Sequence, residues 1–240
     1  MRIIAHRGAS GEAPENTLTA MDLAIEQDAC AIELDVHQLE GTLVVLHDRY
    51  LNKTTSGSGL LSDSSLDVLS TLDAGEGQRV PTLWQVLERI GGRCDLNIEL
   101  KGMGTVEPLL ALLQRAEAEL GYRPEQFLIS SFHHPMLAQL KRQRPALKIG
   151  ALTACCPLNY AEFATALGAF SVHMDVDFAD PAFIADAKAR GLKIYVYTVD
   201  HAPDLLRLDA LGVDGIFSNY PGRSRARLNA PRHQPGQVWQ

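Results

Sequence analysis

Two short stretches of the sequence decide the fold: AIELDV at residues 31–36 and LNIELK at residues 96–101. Side chains alternate between the two faces of a β-strand, so Glu33 and Asp35 share one face of the first stretch and its large apolar residues share the other. The second stretch places a glutamate and a lysine opposite its apolar residues in the same way. Taken singly, each stretch also fits a half-solvated antiparallel strand with a polar outer face. The flanking sequence favours buried strands with inward charges.

The inward faces of these two strands carry Glu33, Asp35, Glu99 and Lys101. Isolated charges are costly to bury, so strands turn them inward only where a cation, a counter-charge or a ligand compensates them. Three carboxylates beside one lysine predict a divalent-cation site next to a group that binds an anion. Oxygen ligands suit several hard cations. The sequence therefore predicts one divalent cation, Mg²⁺ or Ca²⁺, with Mn²⁺ as a further candidate.

The bulk composition limits the class of partner. The chain has 240 residues, of which 46% are hydrophobic and 21% charged, as in an ordinary soluble domain with a substantial core. A formal net charge of −7 argues against nucleic acid as the main partner but leaves room for a small anionic substrate. No apolar run approaches the length of about 18 residues that spans a membrane, so no stable membrane association is expected.

Features of the N-terminus and the cysteines predict where the protein works. A short strand-like run follows Met1 at once, without the apolar core or cleavage site of a signal peptide. The four cysteines form no CxxC pair, and a domain of this size needs no disulfides. We therefore expect reduced thiols and a cytoplasmic location.

Eight apolar runs alternate with amphipathic segments along the chain, which is typical of α/β folds. This number and order predict a (β/α)8 TIM barrel. A doubly wound open sheet gives a similar pattern but more often has fewer strands and a glycine-rich turn, and neither GxGxxG nor Walker A occurs here. The predicted strands are residues 2–6, 31–36, 96–101, 127–132, 148–152, 170–174, 193–199 and 215–218.

One interval of about 60 residues, between the second and third predicted strands, is longer than the others. It contains an added strand at residues 43–46 and a helix at residues 83–90. We interpret residues 48–80 as an insertion over the strand ends, within one domain spanning residues 1–240, because this segment is too short and too polar for a core of its own. Residues 223–240 lack a periodic pattern and predict a surface helix or a frayed tail.

The carboxyl ends of barrel strands form the substrate-binding face, and the sequence places histidines there. His6 and His47 end two of the predicted strands, with Arg7 beside the first. One histidine at a strand end is more often structural than catalytic. Two of them beside a carboxylate cluster, with Arg7 and Lys101 as fixed positive charges for a phosphate, indicate general acid and base catalysis.

These motifs, in this order and spacing, resemble the glycerophosphodiester phosphodiesterase family over nearly the whole chain, and its short bacterial cytoplasmic type most closely. The resemblance implies a TIM barrel with a small insertion after strand two. It also implies hydrolysis of glycerophosphodiesters, such as glycerophosphocholine and glycerophosphoethanolamine, to sn-glycerol 3-phosphate and an alcohol. The motifs are HRG (6–8), PENT (14–17), ELD (33–35), LHD (46–48), NIELK (97–101), SSF (130–132), YVYTV (195–199) and GVDGI (212–216).

By position, the resemblance implies a role for ten residues. The acid–base pair is His6 and His47. The metal ligands are Glu33, Asp35 and Glu99. The substrate contacts are Arg7 and Lys101 at the phosphate, together with Glu15, His173 and Tyr197. For Glu15 a helix N-terminal carboxylate is the alternative, and for His173 contact with the glycerol end and a structural role stay equally open.

The chain departs from the family pattern at three positions near the site. Many relatives have tryptophan at the position of Tyr197, asparagine at that of Asp200 and aspartate at that of Asn219. Tyrosine still provides a flat wall with a polar tip. Asp200 adds negative charge at the rim and is expected to disfavour acidic head groups. These departures bear on substrate preference and leave the predicted ligands and histidines in place.

Two other functions fit the same barrel. One is a phospholipase-C-like or phospholipase-D-like enzyme that cleaves phosphoinositides, sphingomyelin or similar lipids, which the absence of an export signal and of an apolar anchor disfavours. The other is a non-catalytic barrel that binds a phosphodiester. Loss of a histidine or carboxylate would mark that second case, and His6, Glu33, Asp35, His47 and Glu99 are all present.

Overall fold

Eight parallel strands close into a barrel in the computed structural model, which describes residues 1–228 and Trp239. Strand β1 pairs with both β2 and β9, which closes the sheet. The predicted (β/α)8 TIM barrel is confirmed. The strands are β1 (Arg2–Ala5), β2 (Ala31–Leu39), β3 (Thr42–Val45), β4 (Asp95–Leu100), β5 (Phe127–Ser131), β6 (Lys148–Thr153), β7 (Ser171–Asp175), β8 (Lys193–Tyr197) and β9 (Gly215–Ser218).

Helices surround the barrel, and among the described ones none is long and apolar enough to cross a membrane. Their ends follow local chemistry. Thr82 caps the N-terminus of α3 in a reciprocal capping box with Gln85, and Gly91 ends that helix in the left-handed conformation. The helices are α1 (Leu18–Glu26), α2 (Leu66–Thr71), α3 (Leu83–Ile90), α4 (Val106–Glu119), α5 (His134–Gln143), α6 (Glu162–Ala166), α7 (Pro181–Ala189), α8 (Ala202–Ala210) and α9 (Pro221–Leu228).

The alternation along β2 and β4 sorts apolar from charged residues as predicted. Ile32 and Leu34 belong to the large apolar cluster that also includes residues of the surrounding helices. The register of the two strands sets Asp35 beside Glu99 across the sheet. Every residue of 31–36 is buried, so the charged side chains face the interior of the barrel and not solvent.

The added strand β3 pairs antiparallel with the end of β2 and precedes the predicted insertion at residues 48–80. Residues 48–80 contribute to a small apolar cluster that they share with the neighbouring hairpin. That cluster includes Leu51, Leu61 and Leu69 from the insertion. It is completed by Leu39 and Val44 of the β2–β3 hairpin. The insertion therefore packs on the hairpin and stays part of the barrel domain.

The amino ends of the strands form a closed barrel floor. Trp239 is 1% exposed there, and its indole N–H donates to the backbone oxygen of Gln126 at 3.1 Å. Arg2 lies over the indole ring at 4.6 Å from its centroid, and it pairs with Asp95 at 2.7 Å. The prediction of a surface helix or frayed tail over residues 223–240 does not hold at Trp239, since this residue is buried at this end of the barrel. Residues 223–228 belong to α9, and residues 229–238 and 240 lie outside the described part of the chain.

Candidate active site

A pocket of about 160 Å³ opens at the carboxyl ends of the strands. Residues of both charged stretches, 31–36 and 96–101, line this pocket, as the strand alternation predicts. Eight of the ten predicted site residues line this pocket: His6, Arg7, Glu33, His47, Glu99, Lys101, His173 and Tyr197.

Three carboxylates converge at the bottom of the pocket. One oxygen from each of Glu33, Asp35 and Glu99 lies within 4.8 Å of the others, and all three residues are buried. Glu33 Oε2 accepts a hydrogen bond from the Arg7 backbone N–H at 2.9 Å. Glu33 Oε1 is buried without a hydrogen-bond partner among the described residues. A buried carboxylate oxygen left in this state points to a missing positive partner.

The positive side chains at this cluster only partly balance its charge. Arg7 Nε lies 3.3 Å from Asp35, and Lys101 Nζ lies 2.8 Å from Glu99. Asn16 Nδ2 also donates to Asp35 at 3.0 Å. Three carboxylates thus face two cations. The excess of negative charge and the all-oxygen donor set fit one hard divalent cation.

The pKa values of the three carboxyls differ because their neighbours differ. Burial, and then the charges of Asp35 and Glu99, raise the pKa of Glu33 well above its ordinary value. Burial and the charge of Asp35 raise the pKa of Glu99 to about 7, although Lys101 opposes this shift. Burial acts in the same direction on Asp35, but Arg7 and Lys101 outweigh it and hold its pKa below the ordinary value. Asp35 is therefore the carboxylate most firmly held in the charged form.

His6 follows β1 and is fixed by a residue from the other end of the chain. Its Nδ1 lies 2.8 Å from Asn219 Oδ1, which is an acceptor. Nδ1 therefore carries the proton, and the Nε2 lone pair is free. Burial, together with the charge of Arg7, lowers the pKa of His6 to about 4. The imidazole is neutral near neutral pH, as a general base needs to be.

His47 follows β3 and lines the same pocket from the side of the insertion. Its Nδ1 lies 3.5 Å from the Asp48 carboxylate, and its backbone oxygen lies 3.1 Å from His37 Nε2. The structure therefore brings both predicted histidines to one cavity from different strand ends.

His173 and Tyr197 form part of the wall opposite the carboxylates. His173 is fully buried, with Nε2 at 2.8 Å from Ser171 Oγ, and its Nδ1 has no hydrogen-bond partner in the described chain. Burial lowers its pKa to about 3, so it is neutral. The Tyr197 hydroxyl donates to the Thr153 backbone oxygen at 2.8 Å, which turns its ring edge-on to Phe132 at a centroid distance of 6.0 Å.

Two predicted site residues lie behind the pocket surface. Asp35 contacts Arg7 and Lys101 from beneath the lining residues. Glu15 accepts a hydrogen bond from Arg7 Nη1 at 2.9 Å and orients that guanidinium. The structure thus places Glu15 at the site through Arg7, and Glu15 does not line the pocket itself.

The pocket also contains residues that were not assigned a function from the sequence. Asn97 and Ser130 line it and bond to each other at 2.9 Å, and Phe132 and Phe217 add apolar surface. Ser130 is in register with Glu99 on the neighbouring strand, so strand alternation alone could have placed it inside. For Phe217 the sequence shows no alternation of polar and apolar residues that would identify the inward face, because every residue of its short strand is buried.

The two departures at Asp200 and Asn219 are in contact with each other. Asn219 Nδ2 donates to Asp200 Oδ2 at 2.7 Å. The sequence suggested an isolated charge at the rim, but this carboxylate is turned toward Asn219 and Ser218. The effect of Asp200 on acidic head groups stays a prediction.

Comparisons with known proteins agree with this site. A model of the glycerophosphoryl diester phosphodiesterase family matches residues 6–223. A glycerophosphodiester phosphodiesterase of Caldanaerobacter subterraneus is 38% identical over 229 residues, covering 91% of this chain and 94% of that protein. A glycerophosphodiester phosphodiesterase of Bacillus subtilis is 32% identical over 249 residues, covering 91% and 83%.

A solved structure agrees as well. An Oleispira antarctica phosphodiesterase, determined in complex with its product sn-glycerol-3-phosphate, superposes with a TM-score of 0.87 at 32% identity. The alignment covers 95% of this chain and 97% of that one. The family model and these relatives match nearly the full length of the chain. The chain is therefore a member of the glycerophosphodiester phosphodiesterase family and an enzyme of that class.

Proposed function

We propose that this enzyme hydrolyses small glycerophosphodiesters, such as glycerophosphocholine and glycerophosphoethanolamine, to sn-glycerol 3-phosphate and the free alcohol. The observation that supports this most is the buried, under-compensated carboxylate cluster beside two histidines and two cations in one pocket. The product bound to the Oleispira antarctica relative supports the same substrate class.

Glu33, Asp35 and Glu99 would hold one divalent cation, with Mg²⁺, Ca²⁺ and Mn²⁺ as the candidates. Such an ion, when bound, stabilises negative charge that develops on phosphoryl oxygens. The unpartnered Glu33 Oε1 is the observation in favour of this role. Burial, and then the like charges of Asp35 and Glu99, raise the pKa of Glu33, and a bound cation would oppose this shift.

Arg7 and Lys101 would bind the phosphodiester anion. Arg7 is held by Glu15 and Asp35, which leaves a planar group in fixed orientation beside the cluster. Neighbouring carboxylates outweigh the effect of burial and raise the pKa of Lys101, so its ammonium stays charged. Both cations can then position the phosphorus between the two histidines.

His6 would act as the general base through its free Nε2, and His47 as the general acid. In the step that attacks phosphorus, His6 takes a proton from the attacking oxygen. This oxygen belongs to water or to the neighbouring glycerol hydroxyl. A new O–P bond forms, and the bond from phosphorus to the leaving alcohol breaks. His47 gives its proton to that leaving oxygen. Because His6 and His47 follow different strands, one can lie on the side of the attacking oxygen and the other on the side of the leaving oxygen, as an in-line displacement at phosphorus requires.

Attack by water yields sn-glycerol 3-phosphate directly. Attack by the glycerol hydroxyl yields a cyclic phosphate, which water would open in a second step: water gives a proton to His47, its oxygen bonds to phosphorus, the ring bond from phosphorus to the hydroxyl oxygen breaks, and His6 returns its proton to that oxygen.

The remaining wall suits the uncharged parts of the substrate. His173 Nδ1 offers a ring nitrogen without a partner in the described chain, which could donate to or accept from a glycerol hydroxyl deep in the pocket. Phe132 and Tyr197 provide aromatic surface nearer the mouth for the alcohol, including the quaternary ammonium of choline.

The test is release of sn-glycerol 3-phosphate from glycerophosphocholine by the purified enzyme, measured before and after EDTA treatment. We expect activity that EDTA abolishes and that Mg²⁺, Ca²⁺ or Mn²⁺ restores. Glu99→Gln should lose that activity while keeping the thermal unfolding midpoint of the wild type. Activity that survives exhaustive chelation would refute the metal requirement, and inactivity toward every glycerophosphodiester tried would refute the substrate class.

A further inference from the structure

We propose that Asp200 is a positioning residue of the acid–base machinery, because it orients Asn219 and Asn219 in turn fixes the proton of His6. The proposal rests on the proposed function of His6 as general base. It gives Asp200, in the β8–α8 loop, and Asn219, at the end of β9, a catalytic context. The sequence connects these two residues only with substrate preference.

Among the described residues, Asp200 accepts three hydrogen bonds, and all of them come from residues 218 and 219 at the end of β9. Its Oδ1 accepts from Ser218 Oγ at 3.0 Å and from the Asn219 backbone N–H at 2.8 Å. Its Oδ2 accepts from the Asn219 side-chain amide at 2.7 Å. A carboxylate with these three donors holds both the backbone and the side chain of Asn219.

This arrangement determines which way the Asn219 amide points. The atom that faces Asp200 must be the nitrogen, because an ionised carboxylate can only accept hydrogen bonds. The oxygen therefore faces the opposite way, where it lies 2.8 Å from His6 Nδ1 and 2.8 Å from Ser10 Oγ. Asp200 therefore holds the Asn219 amide so that a hydrogen-bond acceptor faces the His6 imidazole.

The consequence for His6 is one tautomer. An amide oxygen beside Nδ1 requires the proton on Nδ1, so neutral His6 keeps its lone pair on Nε2. The charged or titratable groups that act on His6 are Arg7, Asp35 and His47. None of these specifies a tautomer through a hydrogen bond to its ring in the described structure, where Asn219 is the partner of Nδ1.

The two positions where the chain departs from the family resemblance, Asp200 and Asn219, are in direct contact. The pair has one carboxylate and one amide, of which the amide touches the histidine and the carboxylate stands one residue further away. His6 is thereby held by a neutral acceptor.

The test is a double-mutant cycle on kcat for glycerophosphocholine with saturating divalent cation. Asp200→Asn should lower kcat by about 10–100-fold, the usual effect of removing a residue that orients a ligand or catalytic group. Asn219→Asp should also lower kcat, because it sets a second carboxylate against Asp200. The exchange variant D200N/N219D restores one amide and one carboxylate, and it should recover to within about threefold of the wild type, as expected for directly coupled residues.

A second readout separates positioning from folding. The nitrogen chemical shifts of His6, measured in ¹⁵N-histidine-labelled enzyme, report the tautomer without any turnover. We expect the Nδ1–H form in the wild type and a mixture of tautomers in D200N. Asp175→Asn is the matched control, since it removes an equal charge from a β7 aspartate whose carboxylate accepts only from Asp177 N–H among the hydrogen bonds of the described chain. It should change neither kcat nor the His6 tautomer.

Three outcomes would overturn the proposal: unchanged kcat in D200N, no recovery in the exchange variant, or an unchanged His6 tautomer in D200N. Failure of the proposed function is distinguishable from these. Wild-type enzyme that cleaves no glycerophosphodiester, yet shows the Nδ1–H tautomer and loses it in D200N, would refute the substrate and keep the positioning role.

Discussion

Both ends of the barrel bury a carboxyl group whose pKa is about 7, yet only one end has the features of an active site. At the floor, burial raises the pKa of Asp95 to about 7. At the pocket, burial and the charge of Asp35 do the same to Glu99. A raised pKa is therefore a poor guide to function in this protein, although such shifts do concentrate at functional sites in general.

Charge balance and open space are what distinguish the two ends. Asp95 has one arginine at 2.7 Å, and Trp239 covers that pair. The pocket has three carboxylates against Arg7 and Lys101, and a cavity of about 160 Å³ above them. The Arg2–Asp95 pair is neutral overall and shielded from solvent, so its role is structural. The pocket has uncompensated negative charge beside a cavity, which is the arrangement expected where a ligand binds.

The strongest test of this contrast is Glu33→Gln. We expect kcat/KM to fall by at least about a thousandfold, since a catalytic cation contributes several kcal/mol and each 1.36 kcal/mol is tenfold in rate. The free energy of unfolding should stay level or increase, because the amide is isosteric and like-charge repulsion is removed. Kinetics and urea unfolding of one preparation check both parts. A large loss of stability would mean that the cluster is structural like the floor.

At the floor, Arg2→Met should have the opposite profile, with normal kcat and a loss of stability that grows with pH. Because the variant can protonate Asp95, whose pKa is about 7 in the wild type, the loss in unfolding free energy should be about 1.4 kcal/mol at pH 8 and about 3–4 kcal/mol at pH 10. The loss should shrink toward pH 5. The folded-state pKa of Asp95 already lies above its ordinary 3.8. Removing Arg2 raises it further, so the penalty grows as the pH rises from about 7 toward the higher pKa of the variant, and it disappears below about 7, where Asp95 is protonated in both proteins.

Urea unfolding at several pH values measures this penalty. Asp95→Asn combined with Arg2→Met is the control, since it removes the charge that must be neutralised, and its stability should vary little over the same range. A penalty in Arg2→Met that grows toward acid pH would contradict the interpretation of Asp95.

Back at the pocket, Lys101→Met keeps the length of the side chain and removes its charge. We expect kcat/KM to fall by about 10–100-fold, in line with about 1.5–3 kcal/mol for a hydrogen bond to a charged group. Inhibition by the product phosphate should weaken in parallel. Initial rates with and without added sn-glycerol 3-phosphate check this. Unchanged constants would make Lys101 only a counter-ion of Glu99, as Arg2 is of Asp95.

The smallest effect is expected for Trp239→Phe. The change keeps an aromatic ring but removes the donor to the Gln126 oxygen, so about 1–3 kcal/mol of stability should be lost. Activity at a temperature well below the transition should be unchanged. Thermal unfolding and steady-state rates check both. A decrease in kcat would show that the floor and the pocket are coupled.

The features that could be predicted from the sequence are those set by local periodicity. Alternation along β2 and β4 placed Glu33, Asp35 and Glu99 on inward faces, and strand order brought those faces together. The partners of His6 and Arg2 could not be predicted in this way, because Asn219 and Asp95 are 213 and 93 residues away in the chain. The position of Trp239 could not be predicted either, because the residues near it in the sequence show no periodic pattern.

The indole at the floor also gives the protein an optical reporter. The chain has two tryptophans, and Trp84 is partly exposed with the Arg115 guanidinium 3.7 Å from its ring centroid. Trp239 is shielded from water at the end of the barrel opposite the chemistry. In a Trp84→Phe background, the emission of the remaining indole would follow opening of the floor and stay insensitive to occupancy of the pocket.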